Sequence, residues 1–263
     1  MQRLPITIAF ITCSLLACAC AAKDDVASLS WRITATLAHG TDHFTQGLVV
    51  HDDVLIESSG LYGRSRLMIK SKRTGEVLRS RALPANWFAE GATVWRGKIV
   101  MLTWRERIAQ WFDLDLKPLS RMTYGGEGWG ITHDGTHLIT SDGSATLRFR
   151  RAEDFSVIHE REVRDANHAL RGLNELEYAR GLIYANVWQT DRIAVIDPLT
   201  GNVCAWLDLQ ALKLHFDKPA NWNAREHVLN GIAYDAASDR FYVTGKNWPA
   251  LFELEVEPAD CGR

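Results

Sequence analysis

The stretch Phe44-Thr-Gln-Gly-Leu-Val-Val-His-Asp-Asp-Val-Leu-Ile-Glu-Ser-Ser59 holds two apolar runs joined by a polar turn. The pattern reads as a β-hairpin: a short strand, an Asp-rich turn, then a β-branched strand. It recurs. Phe88-Ala-Glu-Gly-Ala-Thr-Val runs to Ile99-Val-Met-Leu-Thr-Trp104, and Gly128-Trp-Gly-Ile-Thr runs to Leu138-Ile-Thr-Ser-Asp142. Leu173-Asn-Glu-Leu-Glu-Tyr runs to Leu182-Ile-Tyr-Ala-Asn-Val-Trp188, and Leu229-Asn-Gly-Ile-Ala-Tyr runs to Arg240-Phe-Tyr-Val-Thr-Gly-Lys246. Aligning Gly47, Gly91, Gly130, Leu176 and Gly231 gives a unit of about 40–50 residues, the period of propeller blades or a solenoid.

A second hairpin follows each of the first four units, so each makes a four-stranded blade. The fifth reaches only one further strand, Leu251 to Val256, while a spare strand, Trp31 to Leu37, precedes the first unit. Joining the two completes the last blade and covers edges that would otherwise recruit other chains. The expectation is an all-β, five-bladed propeller over residues 26–257, closed by its N-terminal strand. Residues 258–263 form a tail, and helix is confined to about one turn around Leu209 to Leu214. An open solenoid leaves the complementary ends unexplained.

Composition agrees. The 263 residues are 46% apolar and 24% charged, as in a globular domain. A net charge of −2 gives no footprint for nucleic acid or an anionic membrane. Residues 1–22 read as a secretory signal: a basic start at Arg3, an apolar run, then small residues. Leu15-Leu16-Ala17-Cys18 also fits a lipoprotein box, so the expected location is periplasmic or secreted, with lipidation of Cys18 an alternative. In an oxidising compartment the remaining Cys204 and Cys261 are candidates for a disulfide pinning the C-terminus.

In a propeller the start of each inner strand lies beside the end of the next strand, so those positions in all five units converge on one mouth. The starts offer Gln46, Glu90, Trp129, Asn174 with Glu175, and Asn230. The ends offer Glu57 with Ser58, Trp104, Asp142, Trp188 and Lys246. A symmetric scaffold asks only for Gly and apolar residues there, whereas this set is polar and differs in every unit. Aromatic walls with a few convergent polar groups suit a small-ligand pocket. Each tryptophan alone also has a packing role between blades. Glu90, in an apolar context, is the acid/base candidate, because a carboxyl there is either paired or protonated.

Ten ordered motifs, among them Phe44-Thr-Gln-Gly-Leu48, Phe88-Ala-Glu-Gly91, Gly128-Trp-Gly130, Ala185-Asn-Val-Trp188 and Thr244-Gly-Lys-Asn-Trp-Pro249, resemble the plant and bacterial type of glutaminyl cyclase. The likeness runs from Leu37 to Val256. It implies conversion of an N-terminal glutamine of a peptide or protein into pyroglutamate with release of ammonia. By motif, the family's catalytic glutamate falls on Glu90, and its other site positions fall on Phe44, Gln46, Trp104, Trp129, Asn174, Trp188 and Lys246. Ala89 and Ala92 stand where bulkier residues are expected, which would reshape the pocket wall.

The residue types fit that chemistry. The amine attacking the γ-carboxamide is tethered, so no serine or cysteine nucleophile is needed. Glu90 can carry the proton from the amine to the departing nitrogen, with Glu175 or Glu127 next in line. Lys246, Asn174 and Gln46 can donate to the amide oxygen or fix the substrate carbonyls. No cofactor is expected, with a structural calcium in the channel left open. The pairs His39/His43 and His133/His137 lie on no predicted helix, which argues against zinc. Gly125 to Gly130 lacks the dinucleotide fingerprint. The expected partner is a peptide or protein beginning with glutamine, and the chain is expected to be a monomer. The competing readings are a lactonase- or dehydrogenase-like propeller and a non-catalytic binder of peptide N-termini.

Overall fold

The computed structural model describes residues 26–262, so the signal-sequence reading of residues 1–22 lies outside the described residues. Five antiparallel four-stranded units follow one another along the chain. Their inner strands are Thr45–His51, Ala89–Trp95, Ile131–His133, Leu173–Ala179 and Leu229–Asp235. The outermost strand of the fifth unit is Trp31–Ala38, antiparallel to Ala250–Val256. Among the described residues helix is limited to one 3-10 segment, Gln210–Leu214.

The middle strands show why the chain adopts this form. In Lys98–Thr103, Ile99 and Met101 enter the apolar cluster shared with the first blade, while Val100 and Leu102 enter the one shared with the third. Successive side chains of a strand point to opposite faces, so a run apolar at every position is what a sheet buried on both faces requires. The apolar interior is therefore divided into five clusters, each lying between neighbouring blades. Outer strands such as Val77–Ala82 and Val157–Glu162 are mostly exposed and carry Arg or Glu, which discourages edge pairing.

Near the axis the blades are too close for side chains. A Cβ on Gly47 would lie 2.3 Å from the Ala92 nitrogen of the next blade, and one on Gly130 would lie 2.1 Å from the Asn174 carbonyl oxygen. The recurrent glycine is thus a blade-contact residue. The fourth blade departs from the expected alignment, because strand register makes Glu175, not Leu176, the residue equivalent to Gly231. Glu175 sends its carboxyl across the axis to accept from the Leu48 N–H at 3.2 Å and the Ile232 N–H at 2.7 Å, linking three blades.

Three features escaped the sequence pattern. Ala27–Ser28 adds a short parallel strand to Val203–Asp208, and Arg164–Asp165 pairs with His168–Ala169 in a small hairpin. The third is an irregular segment around Phe216 and Trp222, packed on the buried Trp248. Cys204 and Cys261 are joined in a disulfide that ties the C-terminal segment to the fourth blade.

Candidate active site

In four blades the inner strand carries a register shift at its start, falling at Gln46, at Glu90 with Gly91, at Asn174 with Glu175, and at Asn230 with Gly231. Such bulges re-aim side chains out of the pleat. In the third blade the matching residue, Trp129, precedes the strand altogether. The same serine device then fixes the backbone of two of these residues. Ser58 donates to the Glu90 carbonyl at 2.5 Å, and Ser141 donates to the Asn174 carbonyl at 2.6 Å.

Glu90 is 4% exposed and Lys246 5% exposed. Burial pushes the Glu90 carboxyl well above the usual range; Lys246 offsets part of this, and Glu127 adds to it. A hydrogen bond from Gln46 favours the ionised form. Burial likewise pushes Lys246 down to about 8, opposed by Glu90. A carboxyl and an ammonium whose ordinary proton affinities lie far apart are thus drawn toward each other, as proton transfer near neutral pH requires.

Lys246 sits 4.8 Å from the centre of the Phe44 ring, a cation–π contact. Its backbone is held by Val228 on one side, while the next residue, Asn247, donates to the His43 carbonyl at 2.7 Å. Gln46 Oε1 accepts from Asn230 Nδ2 at 3.2 Å. Asn174 and Asn230 each keep a buried amide oxygen without a hydrogen-bond partner among the described residues. Aromatic rings form the walls: Phe88 meets Phe44, Tyr62 and Trp104 edge-on, and Trp129 meets Trp188 at 5.6 Å. Trp188 is 45% exposed and forms the rim.

Several expectations change. Glu57 is not open to a ligand; it is fully buried, bonded to Lys70 at 2.9 Å, His39 at 3.1 Å and Thr45 at 2.8 Å. Burial opposes its ionisation, but Lys70 and His39 outweigh that and hold it well below the usual range. His39, His43 and Glu57 do converge, their ligand atoms lying within 4.8 Å of one another. Lys70 already supplies a positive charge there. Asp142 turns away to Arg148 and Ser144. Glu175, with both oxygens on backbone N–H groups, is structural rather than a reserve base. Ala89 and Ala92 lie in the apolar cluster between the first two blades rather than on the pocket wall. Phe88 and Tyr62, absent from the expected site set, are aromatic neighbours of the wall; the phenylalanine preceding Glu90 was the available signal.

Fold and site together define a five-bladed propeller with a buried, charge-coupled glutamate and lysine near a group of aromatic rings. Residues 6–256 match the family described as glutamine cyclotransferase. A curated relative from Arabidopsis thaliana, glutaminyl-peptide cyclotransferase, is 36% identical over 234 residues, covering 87% of this chain and 72% of that protein. Among solved structures, glutaminyl cyclase of Myxococcus xanthus superposes with a TM-score of 0.82 at 32% identity, covering 90% of this chain and all of the other. The chain belongs to the glutamine cyclotransferase family.

Proposed function

We propose that this chain is a glutaminyl-peptide cyclotransferase, closing the N-terminal glutamine of a peptide or protein into pyroglutamate and releasing ammonia. The observation that carries the reading is Glu90, buried beside Lys246 and Gln46 under aromatic walls. Family membership and the names of its relatives support the same activity.

The neutral α-amine attacks the γ-carboxamide carbon, forming the ring C–N bond. Glu90 takes the proton that the amine sheds and returns it to the departing nitrogen, which leaves as NH3 when the old C–N bond breaks. The raised proton affinity of Glu90 suits it to hold the proton between the two transfers. Lys246, still charged near neutral pH, donates to the amide oxygen as it gains negative charge. The unpaired amide oxygen of Asn174 accepts a substrate N–H, since a buried acceptor left unpaired costs about 1–3 kcal/mol. Phe44, Gln46, Trp104, Trp129 and Trp188 grip the side chain and exclude water, which strengthens these contacts.

The tethered nucleophile and single proton shuttle need no metal in the reaction, and activity is expected to survive extensive dialysis against EDTA. The Cys204–Cys261 bond supports an exported enzyme working in an oxidising compartment. The test is incubation with a glutamine-initiated peptide. Ammonia and a loss of about 17 mass units, one NH3, are expected, with neither from an asparagine-initiated control. Binding without mass loss would favour a non-catalytic binder of N-termini.

A further inference from the structure

Glu127 lies on the glycine-flanked connection between the second and third blades, and it carries more of the pocket than its half-buried position suggests. Its Oε2 accepts the indole N–H of Trp104 at 2.7 Å and that of Trp129 at 3.1 Å, while Oε1 faces Arg105 Nε at 3.4 Å. The two tryptophans come from different elements: Trp104 follows the strand Lys98–Thr103, and Trp129 precedes Ile131–His133. Each then orients a further ring, Trp104 against Phe88 at 5.5 Å and Trp129 against Trp188 at 5.6 Å. Four rings from three blades therefore depend on one carboxylate oxygen.

Its backbone is equally constrained. Gly128 N–H donates to the Trp104 carbonyl, and a Cβ at Gly128 would lie 2.0 Å from the Tyr124 hydroxyl. Arg105 stacks over the Trp104 ring at 3.8 Å and closes the set from outside. A glutamate serving only a surface ion pair with Arg105 has no use for two indole donors, and exposed pairs of that kind contribute little.

We propose that Glu127 is a positioning residue, a clamp that sets the angle between the Trp104 and Trp129 walls so that the pocket fits the glutamine side chain of the substrate. The inference rests on the cyclising reading above. A second consequence follows from charge. Burial opposes ionisation of Glu127, but the donors Trp129, Trp104 and Arg105 outweigh it and hold its carboxyl below the usual range. That fixed negative charge is one cause of the raised proton affinity of Glu90.

The test uses Glu127→Ala, Glu127→Gln and the wild-type chain, with two readouts. Nitrogen-15 spectra report the indole N–H resonances of Trp104 and Trp129, assigned through single Trp→Phe variants. Both are expected to move in Glu127→Ala, Trp188 following Trp129, while the indoles away from these rings stay, and steady-state kinetics are expected to show KM raised at least tenfold with a smaller fall in kcat. Glu127→Gln retains an acceptor for the indoles, so its KM is expected to rise less. Loss of its charge is expected to move the acid limb of the kcat/KM profile to lower pH. Unmoved resonances, or a wild-type KM in Glu127→Ala, overturn the clamp. Lack of turnover by the wild-type chain counts against the cyclase reading alone, because the resonances are read without substrate.

Discussion

Replacing Glu90 by glutamine tests the proton shuttle with little disturbance of the fold. The amide matches the carboxyl in shape, the Ser58 bond goes to the backbone carbonyl and is kept, and Gln46 still faces a carbonyl oxygen. Removing a positioned acid–base group costs about 10²- to 10⁴-fold in rate. At 1.36 kcal/mol per decade, that is about 2.7–5.4 kcal/mol of barrier. Stability is expected to move the other way. The folded chain binds the Glu90 proton more tightly than the unfolded chain does. Its contribution is therefore complete below the ordinary carboxylate value and is lost as pH rises through the raised folded value. The variant lacks that loss, so its melting temperature relative to wild type is expected to climb with pH above about 4.3, the unfolded glutamate value. The assay is ammonia release from a glutamine-initiated peptide across pH, paired with thermal melts. Turnover within tenfold of wild type by a folded variant would refute the shuttle.

Lys246→Met is expected to abolish most activity yet raise stability near pH 7. The folded value of about 8 against an ordinary 10.5 means that charging the buried amine costs up to about 3 kcal/mol. That gain should vanish when melts are repeated above pH 10.5. Gly130→Ala drives a Cβ into the Asn174 carbonyl, and kcat/KM should fall at least about tenfold. Gly125→Ala, with open space around it, should leave the same kinetics unchanged. Reducing Cys204–Cys261 opens a loop with a sequence separation of 57, which the chain-entropy relation values at about 4 kcal/mol. Melts with and without reductant should show a clear drop, and equal curves would show that the bond does not stabilise the fold.

The architecture was legible in the chain because a blade is a local object. Each hairpin has its own turn residues, and a sheet buried on both faces announces itself as unbroken apolar strands such as Lys98–Thr103. Periodicity supplied the number of blades, and the polar residues interrupting it marked Gln46, Glu90, Asn174 and Lys246 as candidates. Local pattern does not carry depth or direction. Glu57 and Ser58 are neighbours at the end of one strand, yet one is sealed against Lys70 and His39 while the other holds the Glu90 backbone. Glu175 occupies a glycine position because its carboxyl can cross the axis to two other blades, a contact made only once the ring is assembled. Strand order and the residue types offered at the candidate site are thus properties of the sequence by itself. The proton affinities of Glu90 and Lys246, and the joining of two tryptophans by Glu127, arise only in the tertiary structure. The reason is physical: burial and charge–charge distance depend on what other blades bring to the same few ångströms.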